Sequence, residues 1–181
     1  MSVQVIKHSW QYSIPFLEDV VKAVDRAEYE EGGFSDGTTD NKVRRSKIKF
    51  LDDPIIKDVC YGLVMEQNMK HWGFDISREC QLQYTEYHAD DQGFYDWHVD
   101  HHYKDTSPYH RKISMTIQLS YPFDYEGGDF QTDDLSTDQW EWMKFRGTAF
   151  IFPSTLRHRV KPVTRGVRKS LVAWFLGPRW R

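Results

Sequence analysis

The order of hydrophobic and polar positions divides this chain into a helical first part and a strand-rich second part. Across residues 14–29 the apolar side chains recur at helical spacing, and Pro15 stands in the first turn, where a helix tolerates proline. A second helix is predicted to begin after Asp52-Asp53-Pro54 and to end at Gly73. Its predicted buried face comprises Ile55, Val59, Leu63, Val64 and Met69.

Between the helices, residues 31–41 are rich in glycine and short polar side chains, which predicts a loop that could close over a substrate. Residues 42–50 alternate in polarity and predict a strand. After the second helix, short β-type runs separated by turn residues predict strands near residues 80–88, 93–100, 112–121, 128–131, 140–145, 148–152, 157–163 and 167–175.

Helices first and strands afterwards favour a mainly β fold, a sandwich or barrel flanked by about two helices, over a doubly wound parallel sheet. The 181 residues fit a single domain. In it, residues 1–79 are expected to supply helical and loop support, and residues 80–181 to form the core.

Composition narrows the classes of partner. The formal net charge of −3 and the pI near 6.2 give no electrostatic reason to expect nucleic acid, which requires a basic surplus. Cys60 and Cys80 are too few for a disulfide framework and lack zinc spacing, so we expect buried thiols in a reducing cytoplasm. The sequence contains neither a secretion signal nor a membrane-length apolar run, so no membrane partner is expected.

A histidine and an aspartate stand two positions apart in the predicted strand 93–100. His98 and Asp100 therefore point to the same face and could share one ion. His158 begins a later strand and is a plausible third ligand in a folded-over sheet. Two histidines and one carboxylate on one face of an iron leave positions open for a bidentate oxoacid and for O2.

Arg168 and Ser170 point the same way within the apolar strand 167–175. A charge facing the inside of a barrel is unfavourable unless it is paired, and a guanidinium matches a carboxylate through two parallel hydrogen bonds. A dicarboxylate cosubstrate would supply that partner, and an internal Asp or Glu is the structural alternative.

Several motifs follow one another along the second half of the chain. They are Tyr95-Asp96-Trp97-His98-Val99-Asp100, Leu119-Ser120 leading to Tyr125-Glu126-Gly127-Gly128-Asp129-Phe130, Phe152-Pro153-Ser154, and the run from His158 to Arg168. In this order and spacing, the segment from Leu82 to Arg179 resembles the catalytic core of the prolyl 4-hydroxylase-like branch of the Fe(II)/2-oxoglutarate dioxygenases, which includes bacterial and phage-type hydroxylases. The resemblance covers roughly the C-terminal half.

The resemblance implies a double-stranded β-helix (jelly-roll) core. It also implies Fe(2+) on His98, Asp100 and His158, and the distal carboxylate of 2-oxoglutarate on Arg168, with Ser170 beside it.

Further pocket residues follow from the same resemblance. Tyr95, Tyr87 and Trp174 match aromatic residues that line the cosubstrate pocket in this branch, although plain barrel packing is the alternative for each. Gln118 stands where some animal relatives carry a tyrosine that reaches the cosubstrate, so here an amide would take that place.

The implied activity is hydroxylation of a C–H bond coupled to conversion of 2-oxoglutarate and O2 to succinate and CO2, with ascorbate as one candidate reductant. A prolyl residue of a peptide or protein is the favoured substrate, ahead of a free amino acid or small metabolite and of nucleic-acid dealkylation. From a different class, a non-catalytic β-barrel module could keep the metal for binding alone.

Two further groups, the histidines after Asp100 and a basic run, are assigned ordinary structural roles. His101 and His102 are expected at the surface or at the substrate rim, because consecutive residues cannot all face one side of a strand. The basic run 42–49 is expected to be a solvated strand face, with a peptide-substrate rim as the alternative.

Overall fold

In the part of the chain that the structure describes, the fold is an antiparallel β-sandwich with two α-helices on one outer face. In the computed structural model, the described residues are 6–8, 14–31, 40–101, 107–133 and 141–179. The helices are α1 (Ile14–Arg26) and α2 (Pro54–His71). The described strands are β1 (Ile6–His8), β2 (Glu30–Glu31), β3 (Arg44–Arg45), β4 (Lys47–Leu51), β5 (Cys80–His88), β6 (Phe94–His98), β7 (Tyr109–Gln118), β8 (Tyr125–Gly127), β9 (Phe130–Thr132), β10 (Ala149–Pro153), β11 (His158–Val160) and β12 (Val163–Pro178).

The strands form a major and a minor sheet. The major sheet has the order β1-β10-β7-β12-β5-β4-β2, with β8 paired to β12, and the minor sheet has the order β3-β6-β11-β9. Every strand pair is antiparallel. Phe150 and Phe152 from the major sheet pack with Phe130 and Val160 from the minor sheet, so a buried cluster joins the two inner faces.

Alternation along the central strands separates a helix-facing side from a cavity-facing side. On β12, Leu171, Ala173 and Phe175 pack with the helices, whereas Ser170 and Trp174 line the inner cavity. Strands β5 and β7 follow the same rule. Both faces of the major sheet are therefore buried, one against apolar side chains and the other around a polar space.

Helix α2 begins and ends where the sequence predicts. The Asp53 carboxylate accepts hydrogen bonds from the backbone N–H groups of Ile55 and Ile56, and Pro54 follows the cap. At the other end Gly73 has φ +64°, and its N–H donates to Asn68 O at 2.7 Å. A left-handed glycine of this kind satisfies helix carbonyls that would otherwise have no partner.

The predicted buried face of α2 is partly wrong. Leu63 and Val64 are buried, but Ile55, Val59 and Met69 are 65%, 40% and 71% exposed. The buried stripe instead comprises Ile56, Cys60, Leu63, Val64, Gln67 and Asn68. Two polar residues lie in this stripe, so a count of apolar positions alone finds the wrong register.

Three other predictions need correction. Residues 141–144 form a 3-10 helix rather than part of a strand, with Lys144 paired to Asp129 at 3.1 Å. The predicted strand 42–50 is interrupted at Ser46, and its halves β3 and β4 join different sheets. Helix α1 ends at Arg26 rather than near residue 29. Most of the predicted closing loop, residues 32–39, lies outside the described residues.

Cys60 and Cys80 are buried free thiols, as predicted, and burial raises the pKa of both. Among the described residues, no helix combines the length and the apolar character needed to cross a membrane.

Candidate metal centre and cosubstrate cavity

The three predicted metal ligands lie together between the two sheets. His98 ends β6, Asp100 follows two positions later, and His158 begins β11 directly opposite His98 in the ladder. The Nε2 atom of His98 lies 3.8 Å from Asp100 Oδ1, and that of His158 lies 3.6 Å from Asp100 Oδ2. One candidate donor atom from each residue lies within 4.8 Å of the other two.

Backbone carbonyls orient both imidazoles. The Nδ1 atom of His98 lies 2.7 Å from Asp96 O, and that of His158 lies 2.9 Å from Leu156 O. Each carbonyl is an acceptor, so Nδ1 carries the proton and Nε2 keeps its lone pair toward Asp100. Imidazole nitrogens bind divalent metals such as zinc at about 2.0–2.1 Å, so separations of this size fit a single shared ion.

The protonation states also suit a metal. Burial, assisted by the charge of His158, lowers the pKa of His98 to about 3, so His98 is neutral at pH 7. Burial alone would raise the pKa of Asp100, but His158, His98, Arg111 and Ser114 outweigh that effect and lower it to about 2. A neutral imidazole and an ionised carboxylate are the forms that bind metal.

Arg168 lies on the wall of the same cavity. It is 4% exposed, and no carboxylate of the described chain forms an ion pair with it. Its guanidinium carbon stands 5.7 Å from the centre of the Tyr87 ring. Gly128, with φ +62°, leaves room for the arginine stem, because a Cβ there would lie 3.0 Å from Arg168 Cδ. A buried cation without an internal anion fits a bound carboxylate.

The other predicted cosubstrate residues divide into two groups. Tyr95, Tyr87, Ser170 and Trp174 line the cavity together with Arg168 and the metal set. Gln118 is buried but does not line it, because its amide donates to the Tyr125 hydroxyl at 3.1 Å. The contact of Gln118 with a cosubstrate therefore stays a prediction without support from the cavity lining.

The aromatic residues offer hydrogen-bond donors. Burial is the largest cause that raises the pKa of Tyr95, to about 12, and that of Tyr87, so both phenols keep their protons at pH 7. The Tyr95 ring stacks on His98 at 3.4 Å between centroids. The Nε1–H of Trp174 is buried with no hydrogen-bond partner among the described residues. A ligand with carboxylate oxygens could satisfy such donors.

Sequence reasoning missed Arg44, a second arginine of the cavity. It is 5% exposed, donates from Nε to Ser46 Oγ and from Nη2 to Gln83 Oε1, each at 2.8 Å, and lies 4.7 Å from the Tyr95 ring centre. The prediction of a solvated basic face is therefore wrong for Arg44, and also for the buried Lys49. Arg44 was missed because it lies in a run of basic residues. The alternation of Arg44, Ser46 and Ile48 was the signal in the sequence that could have found it.

His101 was expected at the surface or at the substrate rim but is 2% exposed. Its backbone N–H donates to Ser154 O, and its ring packs edge-on to His110 at 4.9 Å. It does not line the cavity. His102 lies outside the described residues.

Comparison with known proteins identifies the family. The family model of the 2OG-Fe(II) oxygenase superfamily matches residues 82–176, more than half of the chain. The chain belongs to this superfamily. Membership confirms the predicted Fe(II)- and 2-oxoglutarate-dependent oxygenase class, with Fe(2+), 2-oxoglutarate and O2 as its cofactor and cosubstrates.

Curated relatives of this oxygenase are PKHD-type hydroxylases. One from Synechococcus sp. (strain CC9311) is 29% identical over 156 residues, which are 84% of this chain and 69% of the relative. Another, from Colwellia psychrerythraea, is 45% identical over 62 residues, or 34% of this chain and 27% of that relative. The second match thus spans about a quarter of the relative's length.

Solved structures confirm the predicted double-stranded β-helix fold. A prolyl-4-hydroxylase from Pseudomonas putida superposes with a TM-score of 0.69 at 16% identity, covering 98% of this chain and 94% of that one. A prolyl hydroxylase from Trichoplax adhaerens, in complex with a hypoxia inducible factor peptide fragment, gives a TM-score of 0.72 at 14% identity, covering 97% and 84%.

Proposed function

We propose that this oxygenase hydroxylates a prolyl residue of a peptide or protein, with His98, Asp100 and His158 holding Fe(II) and Arg168 anchoring 2-oxoglutarate. The observation that carries the site assignment is that the His-Asp-His set shares one cavity with a buried arginine that pairs with no carboxylate of the described residues. Separately, neither feature specifies a cosubstrate. Together they fit a dicarboxylate that spans from metal to guanidinium.

The protein's contribution is to bind and orient. When bound, iron, 2-oxoglutarate and O2 would supply the oxidative chemistry, in which one oxygen atom enters succinate as CO2 is released and the other converts a substrate C–H group to C–OH. His98 and His158 direct Nε2 at the ion because their Nδ1 protons are fixed on carbonyls. Arg168 fixes the far end of the cosubstrate, so its geometry is set before a substrate reacts.

Neighbouring side chains complete the cosubstrate site. Ser170 lies on the face of β12 that carries Arg168, and its hydroxyl can donate to the same carboxylate. Tyr95 and Tyr87 hold their protons and can donate to cosubstrate oxygens. Phe152 and Phe130 supply apolar wall that limits access of water.

The choice of a prolyl peptide is supported by the relatives. The two solved structures compared above are prolyl hydroxylases, one of them bound to a peptide fragment, and the curated relatives compared above are PKHD-type hydroxylases. A free amino acid or small metabolite is the competing substrate class. We place the enzyme in a reducing cytoplasm, which the two buried free thiols support.

The class and the site residues are tested with metal-stripped protein under anaerobic conditions. After addition of Fe(II), titration with 2-oxoglutarate should produce a weak visible absorption band that bleaches on admission of air as succinate forms. His98→Ala should give no band. A band of equal strength in the variant would refute the metal assignment, whereas absence of the band in folded, iron-loaded protein would favour the non-catalytic module.

The substrate is tested by succinate formation with proline-containing peptides and with free proline at equal concentrations. The proposal expects stimulation by at least one peptide and a product heavier by one oxygen atom. Stimulation confined to free amino acids would replace the peptide assignment with the metabolite assignment.

A further inference from the structure

Two buried serines lie directly behind the metal-binding carboxylate. Ser114 stands on β7 and Ser154 follows the end of β10, and both are completely buried. Ser114 Oγ donates to Asp100 Oδ2 at 2.7 Å, and the two serine hydroxyls are 2.9 Å apart. Neither serine lines the cavity, so neither is placed to touch cosubstrate or substrate.

The direction of these hydrogen bonds follows from the number of protons that each group can donate. A hydroxyl has a single proton, and an ionised carboxylate only accepts. Because Ser114 gives its proton to Asp100, the proton in the serine–serine bond must come from Ser154. The chain therefore runs from Ser154 to Ser114 to Asp100, and each bond polarises the next in a dry environment.

Ser154 also holds the backbone that carries the carboxylate. Its carbonyl accepts hydrogen bonds from the N–H groups of Asp100 and His101, both at 3.0 Å, and its own N–H donates to Lys112 O at 2.9 Å. Ser154 lies four residues before His158 on the same connection. One residue thus ties the segment that carries Asp100 to the segment that carries His158.

We propose that Ser154 and Ser114 form a positioning relay for the metal carboxylate. Ser114 donates to Oδ2, which lies 3.6 Å from His158 Nε2, and this bond fixes the rotation of the carboxylate that turns Oδ1 toward His98 Nε2, 3.8 Å away. A carboxylate held in one orientation offers the ion a defined donor geometry, so that further positions of the ion stay open for an oxoacid and O2. The inference rests on the proposed metal site, and it adds two residues that act through Asp100 rather than on the reacting atoms.

The relay predicts a graded loss of metal affinity. Removal of a hydrogen-bond partner from a metal ligand typically costs 10- to 100-fold in affinity, so Ser114→Ala should raise the dissociation constant for Co(II) by about that factor. Ser154→Ala should raise it less, by a few-fold, because the Ser154 carbonyl bonds remain. Ser114→Thr keeps a hydroxyl and should recover most of the affinity.

The experiment is a titration of the metal-free full chain with Co(II), followed by its visible absorption, together with thermal unfolding of each apoprotein. Co(II) is the probe because it reports affinity and coordination without turnover. Ser120→Ala is the matched control. Ser120 is 3% exposed, donates to Val167 O at 3.1 Å and accepts from Lys169 N at 2.8 Å, and neither bond involves Asp100.

The proposal expects Ser120→Ala to lower the unfolding temperature but leave Co(II) affinity and spectrum unchanged. It expects Ser114→Ala to weaken binding and to alter the Co(II) spectrum as the freed carboxylate changes its coordination.

A Ser114→Ala protein that binds Co(II) within twofold of the wild type would overturn the relay. If Ser114→Ala fails to fold, equal Co(II) affinity in Ser154→Ala and wild type would overturn it. Failure of the underlying metal site is recognised separately, because Co(II) would then bind His98→Ala as tightly as the wild type.

Discussion

Arg168 carries a buried positive charge that no carboxylate of the described chain neutralises. Replacing it with methionine keeps a long apolar stem beside Gly128 and removes the charge alone. Without cosubstrate, we expect an unchanged or higher free energy of unfolding, because a buried charge without a paired anion is unfavourable. An arginine that serves only the fold would give the opposite result.

The magnitude for the cosubstrate follows from the bonds lost. Truncating one partner of a buried, hydrogen-bonded charge pair costs about 2–5 kcal/mol, which corresponds to a roughly 30- to 4,000-fold larger dissociation constant for 2-oxoglutarate. An oxoacid without the distal carboxylate, such as 2-oxobutyrate, should bind Arg168→Met and wild type about equally. The loss is therefore specific to one end of the ligand.

Calorimetric titration of both oxoacids into anaerobic, metal-loaded protein measures this difference. Lys169→Met is the matched control, since Lys169 is the next residue, points to the other face of β12 and lies 3.9 Å from Glu86. It should leave both affinities unchanged. The reasoning is refuted if Arg168→Met binds 2-oxoglutarate within threefold of wild type, or if it weakens the two oxoacids equally.

The remaining predictions concern stability. Burial lowers the pKa of His98 from 6.5 to about 3, so below about pH 6.5 the unfolded chain binds a proton that the folded apoprotein does not bind. The free energy of unfolding, measured with urea, should therefore fall as the pH is lowered from about 6.5 toward 3. A free energy of unfolding that does not change over this range would contradict the prediction. Gly166→Ala should destabilise the fold by about 2–4 kcal/mol, because Gly166 has φ +68° and a Cβ there would lie 2.0 Å from Asp124 O. Gly62→Ala, in open space on α2, should instead stabilise it by about 0.5–1 kcal/mol. Equal effects of the two variants on the unfolding midpoint would refute the argument. Asp53→Ala should cost about 1 kcal/mol through loss of the α2 cap, measured by chemical denaturation, and an unchanged midpoint would exclude the capping role.

Much of the candidate metal site was predictable because it depends on a local rule. His98 and Asp100 stand two apart, and a strand places such residues on one face whatever the rest of the fold does. The same rule placed Ser170 beside Arg168, and the structure brings both to the cavity. His158 required long-range information, which entered through the order of motifs rather than through spacing.

The polar inner wall was harder to predict, for a physical reason. Ser114 and Thr116 alternate with Ile113, Met115 and Ile117, a pattern that ordinarily indicates a strand with one solvated face. Here that face is buried in the interior and lines or supports the cavity. Arg44 was missed for the related reason that a basic residue in a basic run is usually solvated. Polarity of a strand face does not distinguish a cavity from solvent.

Core packing and site geometry share the same strands, so the helices matter to the chemistry. On β12, Leu171 and Ala173 pack against the helical side while Arg168 and Ser170 face the cavity. A shift of one residue in the register of β12 would turn both cavity residues toward the helices and place apolar side chains in the cavity. The apolar contacts with α1 and α2 therefore do more than stabilise the sandwich. They fix the register that places a buried arginine in the cavity shared with the candidate metal ligands His98, Asp100 and His158.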